Sequence, residues 1–117
     1  MGFFGPEPFD QATATYVWAG LREPGFLLVE VSGEAPNFTT GIELVRDPHW
    51  VGGVKLDVMG WTGPVGEGTT PYKVSTTLPG SVVESVVVAG SNKREAVPVT
   101  EVPAEEADDF LRQRAAA

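Results

Sequence analysis

The side chain best suited to acid–base chemistry is His49, the only histidine in the 117 residues, within Arg46-Asp47-Pro48-His49-Trp50. Asp47 would orient it as a general base, or join it and Glu43 as a metal ligand. Zinc sites are built around several Cys and His ligands, and the chain has no cysteine and no second histidine. A serine nucleophile would need a Gly-x-Ser-x-Gly elbow, which is absent. His49 therefore reads as a turn residue that hydrogen-bonds or faces solvent.

Carboxylates are plentiful, and any two held about 5–10 Å apart would suit glycoside hydrolysis. No spacing singles out such a pair. The densest set, Glu105, Glu106, Asp108 and Asp109, lacks the alternating ligands and central glycine of an EF-hand loop. It reads as an acidic helix start. Glycines at 60, 63, 66 and 68 suggest a phosphate cradle, yet the Gly-Lys-Ser/Thr ending such a loop requires is missing. Catalytic, metal and cofactor sites are thus expected to be absent. Carboxylate-only catalysis is the one chemistry left open.

Large apolar side chains at the ends and in one loop point to binding instead. Phe3, Phe4 and Phe9 lie in a segment where Pro6 and Pro8 forbid a helix, so an extended arm is expected to lie across an apolar surface of its own domain or of a neighbouring subunit. Thr62–Pro71 holds three glycines and two prolines in ten residues; with Trp61, Val65, Thr69 and Thr70 it is the candidate binding loop. Phe110 and Leu111 form the narrow apolar face of a C-terminal helix. Trp50 and Trp61 are eleven residues apart, about 36 Å of extended chain, so they are not expected to share one platform. Asn37-Phe38-Thr39 matches a glycosylation acceptor, and with no leader recognised it reads as chance.

These candidates need elements to position them. Val-rich runs alternate with Gly/Pro punctuation every 8–12 residues, which predicts about seven strands in an antiparallel β-sandwich, immunoglobulin-like or a small barrel. The immunoglobulin Cys-Trp-Cys spacing is absent, so that likeness concerns architecture alone. Strands are predicted over 13–21, 26–32, 38–46, 50–61, 72–78, 81–89 and 94–102. The run 81–89 is placed centrally, and 94–102 at an edge because Pro98 removes a ladder donor. Pro103 and the acidic residues after it predict a helix from about 103 to 115, with Arg112 and Arg114 in its last turns. The organisation expected is an arm over 1–12, a β-domain over 13–102, and a helix and tail over 103–117.

Charge narrows the partners. Sixteen acidic against eight basic residues give a net charge of −8, and nucleic-acid affinity requires clustered Lys and Arg. The only adjacent basic pair is Lys93-Arg94, so neither nucleic acid nor an anionic membrane is expected. Met1–Asp10 shows no basic-then-apolar leader pattern, and no run approaches the roughly 18 apolar residues of a membrane span. The expectation is a soluble chain, cytoplasmic or part of an assembled particle. It would be a non-enzymatic interaction or assembly module, accessory or decoration-like, whose partner is another copy or another subunit. The alternatives are a small-ligand or carbohydrate module using the 61–71 loop, and a peptidase inhibitor presenting that loop.

Overall fold

In the computed structural model, which describes residues 3–20, 24–63, 67–80 and 82–116, alternation of apolar and polar side chains resolves into eight strands. They are β1 (Phe3–Pro6), β2 (Gln11–Val17), β3 (Phe26–Pro36), β4 (Thr39–Arg46), β5 (Val54–Thr62), β6 (Thr69–Pro79), β7 (Ser85–Ala89) and β8 (Arg94–Val102). A 3-10 turn, Ala104–Glu106, leads into helix α1 (Ala107–Ala116). The protein is all-β with one short C-terminal helix, its strands forming a curled half-barrel.

The sheet runs β5-β7-β8-β2-β3-β6, with β4 on one side of β5 and β1 on the other, beyond the end of β7. Most ladders are antiparallel, but β2 with β8 and β5 with β7 are parallel. Alternation reveals which residues face inward and says nothing about the direction of the neighbour, so the expectation of antiparallel pairing throughout missed these two ladders.

The strand carrying Pro98 is interior, which corrects its expected edge position. Pro98 is the last β8 residue registered with β7, opposite Ser85, and the ladder with β2 begins at Val99. The missing N–H thus falls where the strand passes from one half of the sheet to the other. Next to it, the Val99 N–H bonds the Glu84 carbonyl at 3.0 Å.

The core lies inside the curl. Ala14 and Tyr16 from β2, Leu27, Val29 and Val31 from β3, Leu56 and Val58 from β5, Val86 and Val88 from β7, and Val97 from β8 enclose it. The predicted central valine run is confirmed in place but shortened, its ladder starting only at Ser85. Outside the sheet, α1 brings Phe110 and Arg114 over Thr13, Thr15, Thr100 and Val102, and the Arg114 guanidinium meets the Glu30 carboxylate. That contact, with Lys73 Nζ 3.3 Å from the same carboxylate, accounts for a nearly buried acidic residue on the outward face of β3.

Candidate interaction surface

Strand β5 ends at the loop singled out above, and β1 and β4 flank that end. Phe3 stands opposite Thr62, and Phe4 opposite Trp61, in the β1–β5 ladder. Thr40 stands opposite Trp61 on the other side. The side chains of Phe4 and Trp61 therefore share the outer face, with ring centroids 5.0 Å apart and tilted by 50°. Gly41 adopts φ 61° at a register shift in β4. A Cβ there would come 3.5 Å from Trp61 Cδ1, ordinary contact, so it is the positive φ rather than space that favours glycine at the bulge. On the opposite face the Phe3 ring folds over Gly5, whose added Cβ would lie 2.7 Å from Phe3 Cε1.

A fourth aromatic completes the corner. Phe38, in the turn between β3 and β4, holds φ 72°, a region that bulky side chains rarely adopt. Its carbonyl accepts a 2.9 Å bond from the Gly63 N–H. The turn is pinned from the other side as well: the Asn37 N–H bonds the Gly68 carbonyl at 3.2 Å, and Thr70 Oγ1 donates to Asn37 Oδ1 at 2.5 Å. Phe3 is 71% exposed, Phe38 66%, Trp61 51% and Phe4 38%. Four large aromatic side chains thus meet water around one strand end, Phe3, Phe4 and Trp61 held by ladders and Phe38 by a hydrogen-bonded turn.

Beneath them, polar groups are taken inside. Glu7 is only 3% exposed and accepts a 2.6 Å bond from Thr62 Oγ1. The hydroxyl of Thr39, opposite Thr62, is buried without a partner among the described residues. Gly60 makes room for this cluster, since a Cβ there would fall 3.0 Å from Glu7 Cγ.

The other candidate residues are distributed as follows. Phe9 packs into the chain's own core, fully buried, with Lys93 Nζ 4.9 Å from its ring centroid. Its backbone is clasped by Asn92, which accepts from the Phe9 N–H at 3.1 Å and donates to its carbonyl at 2.9 Å. Thr69 donates to Glu34 Oε1 at 3.2 Å. Val65 lies outside the described residues. Phe110 is half-buried beneath α1, and Leu111 faces solvent.

The hydrogen bond between Asp47 and His49 runs to the backbone of His49. Asp47 Oδ1 accepts from the His49 backbone N–H at 2.9 Å, while Oδ2 meets Lys55 Nζ at 3.1 Å. The backbone bond first, and Lys55 second, hold the Asp47 carboxyl below its ordinary 3.8. Two cations lie over the Trp50 ring, Lys55 Nζ and Arg94 Cζ, each 5.6 Å from its centroid. Among the described residues no group of three or more His, Cys, Asp and Glu converges as metal ligands would, and no helix is long and apolar enough to cross a membrane.

No protein-family model, curated protein or solved structure matches the chain. Function is therefore read from this surface. Trp61 and the two N-terminal phenylalanines were visible in the sequence as large apolar side chains near breakers. Phe38 was passed over as the middle of a glycosylation-like triplet; its place after Pro36-Asn37, where a turn needs an unusual φ, was the available signal.

Proposed function

We propose that this chain is a non-enzymatic protein-interaction or assembly module whose docking face is the aromatic corner of Phe3, Phe4, Phe38 and Trp61. The observation carrying this reading is the exposed Phe4–Trp61 pair on one face of the β1–β5 ladder, with exposed Phe3 on its other face and exposed Phe38 in the neighbouring turn. Contiguous apolar surface on a folded chain usually marks a partner site, and rigid aromatic side chains bind at low entropic cost. Phe38 strengthens the reading, because a bulky residue in the left-handed region persists only where surrounding structure holds it there. Closed homo-oligomers are the commonest assemblies, so a second copy of the chain is the partner to test first.

The test is solution mass by light scattering over a concentration series, with the double variant Phe4→Ser/Trp61→Ser alongside. The unmodified chain is expected to associate and the variant to remain monomeric with its circular dichroism unchanged. A chain that stays monomeric at every concentration overturns self-association, and a variant that associates equally well overturns the choice of face. The two alternative readings draw less support. The Thr69 and Thr70 hydroxyls, which a carbohydrate or peptidase would engage, are already committed to Glu34 and Asn37.

A further inference from the structure

The two halves of the curled sheet part at the end opposite the aromatic corner. There the start of β5, the end of β4, the start of β3 and the end of β6 leave a groove of about 310 Å³. Its walls include Leu27, Val54, Leu78, Pro79 and Val83, together with Gly53 and Gly80. Leu27 and Leu78 stand opposite each other in the β3–β6 ladder. The volume lies at the lower end of the roughly 300–1,000 Å³ of small-ligand sites, which are apolar with a few placed polar groups.

Arg46 is the charged residue of that lining. In the β4–β5 register Leu44 stands opposite Val58 and Arg46 opposite Leu56, both of which are core residues. Side chains of directly opposed residues share a face of the sheet, so Arg46 occupies a position where alternation calls for another apolar side chain. Among the described residues it forms no ion pair; Lys55, Lys73, Lys93, Arg112 and Arg114 each have a carboxylate partner, and Arg94, the other cation without one, lies over the Trp50 ring. One wall is held in place from beneath: Tyr16 Oη donates to the Gly80 carbonyl at 2.6 Å and accepts from the Gly25 N–H at 2.8 Å.

We propose that this groove binds a small amphipathic anion, an alkyl carboxylate whose chain lies along Leu27, Val54, Leu78 and Val83 and whose headgroup pairs with Arg46. An apolar slot with one exposed guanidinium at its rim matches both halves of such a molecule. Arginine also presents the planar donor fork that a carboxylate accepts. The site lies apart from the aromatic corner, so its failure would leave the assembly reading untouched.

The test is titration of isotopically labelled protein with sodium octanoate below its micelle concentration, read by amide chemical shifts. Neutral 1-octanol is titrated in parallel. Saturable shifts confined to the surroundings of Leu27, Val54, Leu78, Gly80 and Val83 are expected. Octanol, and octanoate on Arg46→Gln, should bind roughly tenfold more weakly, about the effect of one charge-assisted hydrogen bond. Arg46→Lys should recover part of the loss, and Val83→Trp, filling the groove, should abolish binding while the remaining spectrum stays native. The proposal is overturned if octanoate gives no saturable shifts, if octanol and octanoate bind alike, or if the shifts centre on Phe4 and Trp61.

Discussion

Two tyrosines show how single side chains join segments that local pattern keeps apart. Tyr16 Oη links the Gly80 carbonyl to the Gly25 N–H, and its ring lies 4.9 Å from Trp18 in an edge-on arrangement. Tyr16→Phe removes both hydrogen bonds while preserving shape, and is expected to lower unfolding free energy by about 1–3 kcal/mol in denaturant titrations; an unchanged midpoint would show that water replaces the hydroxyl. Tyr72 Oη donates to the Pro8 carbonyl. Desolvation first, then the charges of Asp10 and Glu7, push its phenol from 10.0 up to about 12. A folded-state value above the unfolded one means that the unfolded chain ionises first as pH rises. Stability is therefore held below pH 10 and lost progressively between about 10 and 12. Alkaline denaturation curves for the parent and Tyr72→Phe should diverge across that window, the variant losing less. The Gly80 and Pro8 carbonyls that accept from the two hydroxyls are each 64 residues away in sequence and follow only from the closure of the fold.

At the scale of elements, strand existence was legible because period-two alternation and Gly/Pro breaks are local properties. The bounds of β3, β4 and β8 fall near those expected, although β3 runs on to Pro36. Neighbour identity was not legible, since β5 takes three partners on its two edges and no residue type encodes that. The Pro98 error arose from treating a missing donor as a property of the whole strand when it affects one position in the ladder. Helix α1 was legible from its charge bias, and its docking rests on little. Phe110 is half-buried, and Arg114 joins Lys73 at Glu30. Arg114→Ala leaves a nearly buried carboxylate with one exposed lysine, so about 1–2 kcal/mol of stability should be lost and the helix should become the first site of proteolysis. Equal cleavage rates for the two proteins would show that Phe110 alone secures the helix.

At the scale of the molecule, the N-terminal segment connects folding to the proposed docking face, and the two roles separate by residue. From sequence it reads as an arm that could be removed with a greater loss of association than of folding. The structure divides it: Phe3 and Phe4 lie at the exposed corner, whereas Glu7 and Phe9 are buried, and the Glu7 N–H and carbonyl bond Val58 and Ser91. Gly90 and Gly33 make room for the Phe9 segment, since a Cβ at either would approach it to within 2.6–2.8 Å. Loss of a buried phenylalanine costs about 3–5 kcal/mol, a large share of the roughly 5–15 kcal/mol that holds a domain folded. Deleting residues 1–10 is therefore expected to unfold most of the chain at 37 °C, as judged by collapse of its thermal transition. Phe3→Ser/Phe4→Ser should keep that transition within a few degrees and lose association in light scattering. A truncated protein that melts as the parent does would mean that Phe9 fills no essential volume. A double variant that melts early would mean that the corner stabilises the fold itself, leaving less reason for its exposed aromatics to serve a partner.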